Sequence, residues 1–441
     1  MSVSPTSRWL AVLLLACASS VQAQAGDRIW GEVYTTSDEQ YEGFIRWDRN
    51  EASWADILNG SKEIPEETYL AWLDALKGGE RPMRFIDLMG YRVSWDEEDP
   101  DFPSSATSGI RFGHIAGLKA TGADEVELTL RSGERVTLSG GSTDIGNLRE
   151  LLVDDPEHGE IELEWTDLDR IVFLPVPEGA RPASPRLYGT VEDRDGRQFI
   201  GWISWDLDEV LGTDVLDGEE DDGKDHEIEF SEIRAIEKSG FGARVTLVSG
   251  EALELDGTND VDDGHRGVQI SDPALGMIEV EWDDFARIDF QDPPPALGYD
   301  AYDGGHRLFG TVVSQAGDET RGRVRWDADE QWSWELLNGS SRGIRFSIDF
   351  GQIRRIERAD PFGAFVTLVD GRTFELDDSN DVDWDNKGIF IERAPEDQAD
   401  QPTDSSWQFV SWEDFLEVRF EHPTAPPHED GVGPASPGRR P

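Results

Sequence analysis

The 441-residue chain has one cysteine, Cys17. It can therefore form no internal disulfide and no zinc–thiolate centre, and once an N-terminal leader is removed it has no cysteine nucleophile. Basic residues are also scarce: 40 Lys and Arg stand against 93 Asp and Glu, for a formal charge of −53. Such a surface repels nucleic acid and anionic lipid, and attracts divalent cations, cationic polymers and basic proteins. Beyond the N-terminus no apolar run approaches the roughly 18 residues that a membrane-crossing helix needs, so no transmembrane segment is expected. The 7 histidines fall at unrelated positions, none in H-x-x-x-H spacing. That gives a histidine metal site or a catalytic triad little footing.

What is present begins with a leader. Residues 1–25 combine Arg8, the apolar stretch WLAVLLLACASS and the small-x-small pattern VQAQA. This is the pattern of a signal peptide cleaved after Ala23 or Ala25, and it predicts an exported, periplasmic or extracellular protein. Leu14-Leu15-Ala16-Cys17 resembles a bacterial lipobox, so a lipoprotein anchored through Cys17 is the alternative. Export without disulfides fits a bacterial envelope.

The remainder repeats three times. Arg28-IWGEV, Arg186-LYGTV and Arg307-LFGTV each open a unit, followed by GFIRWD, GWISWD and GRVRWD. The units span 26–174, 186–290 and 307–422. Between them 175–185 and 291–306 read as linkers, and 423–441 as a disordered Pro-rich tail. Each unit also divides into two halves, because I-x-F-x-x-I-x-x-I in the first is mirrored by W-x-D-F-x-x-I-x-F in the second. Apolar residues alternate with polar ones throughout, as Val245, Leu247, Leu253, Leu255, Val268 and Ile270 do. Alternation of this period predicts short strands, five to each half. The layout resembles the SH3-like fold, so the expected architecture is all-β: six small five-stranded barrels in three tandem pairs. The resemblance is one of fold and implies no function. Residues 63–107 are an insertion peculiar to the first unit, with a predicted amphipathic helix at 65–79.

Two sets of residues are candidate sites. The first is W-D-x-[DN]-E, found as Trp47, Asp48 and Glu51, as Trp205, Asp206 and Glu209, and as Trp326, Asp327 and Glu330. A ring beside carboxylates is one way to bind a sugar. The same pattern also serves a Trp plugging a core with acids solvating a turn. The second is NDVDWDNKGIFIE, where Asp381, Asp383, Asp385 and Glu392 have the spacing of calcium ligands. Position six of that loop is Asn386 rather than Gly, and both flanks read as strands, so it is no EF-hand. A looser site for calcium or another hard cation stays open, beside an exposed acidic loop with no cofactor.

Function is not written in these motifs. Repetition favours a non-catalytic binding or scaffold protein of the envelope, whose ligand would be a glycan, a cationic polymer or another envelope protein. Two alternatives remain. One is a calcium-dependent structural or adhesive module; the other is a hydrolase with its site near the insertion of the first unit.

Overall fold

The computed structural model describes residues 26–64, 68, 86–88, 91–93, 103–140, 144–294, 298–393 and 407–422. The chain is all-β with antiparallel pairing. The helical elements complete within the described residues are three-residue 3₁₀ turns. The predicted helix at 65–79 lies outside the described residues; within the insertion Ile86–Leu88 pairs with Tyr91–Val93 as a hairpin.

The second unit gives the plan in ten strands: Tyr188–Asp193, Gln198–Trp205, Val215–Glu219, Asp225–Glu229, Ile233–Ser239, Gly242–Leu247, Ala252–Leu255, Val268–Asp272, Gly276–Val280 and Phe285–Phe290. Their spatial order is ninth, eighth, second, first, tenth, fifth, sixth, seventh, third, fourth. The first unit, from Trp30–Thr35 to Leu168–Phe173, has the same order. So does the third, from Phe309–Ser314 to Phe415–Phe420. Seventh and third strands touch through a single bridge in each unit, such as Ser61 with Ser139.

This order corrects the expectation of two consecutive barrels per unit. Strands three to seven form one five-stranded half, nested in sequence between the second and eighth strands of the other half. The two halves join edge to edge through the fifth and tenth strands, and the sheets do not close into barrels. At that seam Leu118 is directly opposed to Ile171 in the first unit, Ile236 to Ile288 in the second, and Ile356 to Val418 in the third. The mirrored endings in the sequence are the two strands of this antiparallel seam. Which hairpin completes which half depends on long-range pairing, about which local periodicity is silent.

Two glycines face each other across the first two strands of every unit: Gly31 with Gly43, Gly189 with Gly201 and Gly310 with Gly322. Here main chain approaches main chain. A Cβ on Gly43 would lie 2.1 Å from the carbonyl oxygen of Asp154, and one on Gly322 2.2 Å from that of Glu392. The repeated G-x-V and following G are needed for that close approach.

The three units are not beads on a string. Met277–Val280 of the second unit pairs with Ile344–Ser347 of the third, joining their sheets and their cores. Ion pairs, one buried and one half-buried, close the other junctions. Arg186 meets Asp56 at 3.1 Å, and Arg46 meets Asp214 at 2.7 Å. Arg111 bonds Asp349 through Nε and Nη2, Ser271 Oγ through Nη1 at 3.3 Å, and the carbonyl of Ala55 through the same Nη1. One guanidinium thus ties all three units. The stretch read as the second linker is a strap where it is described. Tyr299 packs 4.4 Å from the Trp54 ring and donates its hydroxyl to the carbonyl of Ile115 at 2.8 Å.

Candidate functional site

The W-D-x-[DN]-E turns take one conformation in all three units. Trp47, Trp205 and Trp326 are fully buried. Each indole N–H donates to a backbone carbonyl of the loop after the seventh strand: Asp144 at 3.1 Å, Asp260 at 2.9 Å and Asp381 at 2.8 Å. Each ring also meets a second tryptophan edge-on, at 6.1–6.4 Å from Trp165, Trp282 or Trp412. The rings plug the core, so no face is open for a sugar to stack on.

After the Trp come two residues with positive φ: Asp48 and Arg49, Asp206 and Leu207, Asp327 and Ala328. Asp tolerates this region, and the tight reversal demands it. The Asp carboxylate is then tied down by the following loop. Asp206 accepts from Asn259 Nδ2 and from the backbone and guanidinium of Arg266. Asp327 accepts from Asn380 Nδ2 and the backbone N–H of Lys387. The backbone N–H of Arg149 plays that part for Asp48.

The Glu that ends the motif points inward. Glu51, Glu209 and Glu330 each bury an Oε2 that has no hydrogen-bond partner. Burial is the first cause that raises all three, with neighbouring carboxylates adding to it; Glu209 is pushed up to about 10. One more acid joins each cluster, the fourth in the second and third units and the third in the first, where Asn50 replaces an Asp. Asp144, Asp260 and Asp381 are buried, and each accepts a backbone N–H from the third strand (Asn59, Asp217 or Asn338) at 2.6–2.7 Å. Burial raises Asp260 to about 6 and Asp381 to about 7. In the second unit, oxygens of Asp206, Asp208 and Glu209 all lie within 4.8 Å of one another.

The calcium-like set read along residues 381–392 does not converge. Asp381 turns inward to Asp327, Asp329 and Glu330. Asp383 accepts the backbone N–H of Asp385 at 2.8 Å in a local turn, and Asp385 is exposed. Glu392 lies in the strand Ile389–Arg393, 3.4 Å from Arg323. The acid cluster instead joins the two motifs that the sequence offered separately. The sign of this was the Asp that persists in every copy of the loop, at 144, 260 and 381.

A second site had no sequence signal. A cavity of about 220 Å³ lies where the units meet, lined by Arg111, His114, Tyr302, Asp303, His306 and Ser333 among others. Ser333 Oγ is 3.2 Å from His306 Nδ1 and accepts the backbone N–H of the same histidine at 3.0 Å. Burial lowers His114 to about 4, leaving it a neutral ring that accepts the Gly304 N–H through Nδ1 at 3.2 Å.

No family model, curated protein or solved structure matches this chain.

Proposed function

We propose that the chain is a non-catalytic binding or scaffold protein exported to the bacterial envelope, released after Ala23 or Ala25 or held there by a lipid on Cys17. Its partner class is a basic, partly apolar macromolecule such as a cationic envelope protein. The observation that carries this reading is a pair of equivalent hairpin tips. Phe241 is 93% exposed between the fifth and sixth strands of the second unit, and Phe362 is 65% exposed at the same place in the third. Exposed aromatics in an acidic surface are poor solubility design and good partner anchors. Because the second and third units share a sheet, the two tips are held in one body and would bind with a joint effective concentration. For the fold, we read the half made of the first, second, eighth, ninth and tenth strands as SH3-like, since its spatial order is last, first, second, third, fourth, and the nested half as a circular permutation of the same order.

The test uses the full mature chain and an immobilised amphipathic Lys/Leu peptide, with polylysine beside it. Phe241→Ser with Phe362→Ser is expected to keep the wild-type melting temperature and lose at least tenfold in affinity for the amphipathic peptide. Equal binding by the double variant sinks the reading. One observation favours a hydrolase instead: the contact of Ser333 with His306 inside the junction cavity. Ester or peptide hydrolysis abolished by Ser333→Ala would establish that alternative.

A further inference from the structure

The second and third units are joined by strand addition. Arg345, on the fourth strand of the third unit (Ile344–Asp349), lies directly opposite Glu279 on the ninth strand of the second. Its guanidinium donates to Glu279 and, at 2.5 Å, to Glu281. On the other face Phe346 opposes Ile278 and meets the Phe199 ring, 6.0 Å between centroids. Ile278, Phe199 and Phe346 are all buried there.

The ninth strand of the first unit, Gly159–Leu163, repeats that edge. GEIELEW (159–165) matches GMIEVEW (276–282), in the same register against the eighth strand. Glu162 thus stands for Glu279, Glu164 for Glu281 and Ile161 for Ile278, and the second strand places Tyr41 where Phe199 is. Yet among the described residues no strand pairs with the outer side of this edge. Gly159, Glu162 and Glu164 are exposed, Ile161 and Tyr41 only half-buried. Neither Glu162 nor Glu164 has an ion pair among the described residues. The insertion joins the third and fourth strands, at the opposite end of the sheet. Among the described residues no spare strand of the chain suits the edge. In place of Arg345 the fourth strand of the second unit has Asp225, and that of the first has Thr107. Asp225 opposite Glu162 would set like charges face to face. The third unit has Phe409 and Ser411 in place of the two glutamates, so the acidic edge belongs to the first and second units. Acids on an open edge keep it from pairing with other acidic edges. They leave it open to a strand of opposite charge.

We propose that the outer side of Gly159–Leu163 is a strand-addition site for an extended segment of a partner protein in which a basic residue alternates with apolar ones, as in Ile344-Arg345-Phe346. Main-chain bonds to the open edge would hold the segment, and its side chains would select it. The base would meet Glu162 and Glu164, and the apolar residue after it would cover Ile161 and Tyr41. This site goes beyond the Phe241 and Phe362 tips: it lies in another unit and rests on the edge that the second unit already uses.

The probe is a fluorescent peptide copying residues 342–349 (RGIRFSID), titrated against the full mature chain by fluorescence polarisation. Saturable binding is expected, with amide hydrogen exchange slowed at 159–164 to mark the place. Glu162→Lys with Glu164→Lys should weaken binding about tenfold, since both glutamates would face the peptide's base. The same variant should bind a peptide carrying Arg345→Glu about tenfold more tightly than the wild-type chain does. Glu162→Lys alone is the substitute should the double variant not fold. Phe241→Ser with Phe362→Ser should leave binding of this peptide unchanged, so that failure here and failure of the aromatic tips are read separately. Absence of saturable binding, protection confined to residues outside 159–164, or equal affinity in the charge-reversed variant overturns the proposal. Displacement by polylysine as effective as by unlabelled peptide would show charge attraction without strand addition, and overturns it too. A dimer in sedimentation that dissociates on Glu162→Lys would put a second copy on the edge and overturn the choice of occupant.

Discussion

Replacing Arg111 by Met separates a keystone from an ornament. Its side chain is 3% exposed and that of Asp349 is 8%, with the closest approach 2.8 Å. Three bonds run to the carboxylate, from Nε to both oxygens and from Nη2 to one. Removing one partner of a buried pair leaves the other charge desolvated, which costs roughly 3–5 kcal/mol. The bonds to the Ala55 carbonyl and Ser271 Oγ go with it, although the Ser271 hydroxyl still donates to the Ala55 carbonyl at 3.1 Å. The double replacement Arg111→Met with Asp349→Leu removes both charges. It should recover most of the loss, since apolar substitutes for a whole buried pair are often neutral or better. Urea unfolding followed by tryptophan fluorescence measures both, provided the slope against urea is unchanged. A cost below about 1 kcal/mol would put Arg111 among surface ion pairs. A double variant no better than the single one would show that the carboxylate is not what the arginine compensates. Either result refutes the reasoning.

Two further outcomes follow from the same geometry. Gly322→Ala should lower the melting temperature at a cost of about 1–3 kcal/mol or more, because its Cβ meets main chain 2.2 Å away rather than a side chain that can yield; an unchanged midpoint would mean that the glycine pair is not sterically required. Stability should also fall as pH rises from about 6.5 to 9 in EDTA. The folded pKa values of Asp381 (about 7) and Glu209 (about 10) lie above those of unfolded carboxylic acids, so the native state holds protons that the unfolded chain has lost. Below that window His114 and His265, both lowered to about 4, act in the opposite sense: stability present above about pH 6.5 is lost as pH falls. A melting temperature that rises across the alkaline window would contradict the buried-acid account.

The helix expected at 65–79 lies outside the described residues; the repeats do not. Alternation of Val245, Leu247, Leu253 and Leu255 is a property of each strand alone, and those residues are buried or partly buried as it requires. The Trp-Asp turn was legible for the same reason. A strand end, two positive-φ residues and an indole seeking an acceptor all fall within five positions, and three copies repeat them. Strand exchange was not legible. A second strand can pair with the third or the eighth without changing its own pattern, and only the register of Ile203 with Ile270 or of Val324 with Ile391 distinguishes them. The acid cluster was half legible, since its fourth member stands some 50 positions from the turn, and the sequence displays Asp381 more conspicuously beside Asp383 and Asp385. The junction cavity was not legible at all.

By itself, then, the sequence determined the all-β class, the three repeated units, the mirrored strand endings within each and the Trp-Asp turns, because each rests on patterns of residues a few positions apart. Only the tertiary structure decided that the halves are nested, that Arg111 binds three units at once and that Glu330 is buried among acids without a partner. Those facts depend on which surfaces meet. Side chains as far apart in sequence as Arg111 and Asp349 are brought together by packing, and no local pattern encodes the cost of burying their charges.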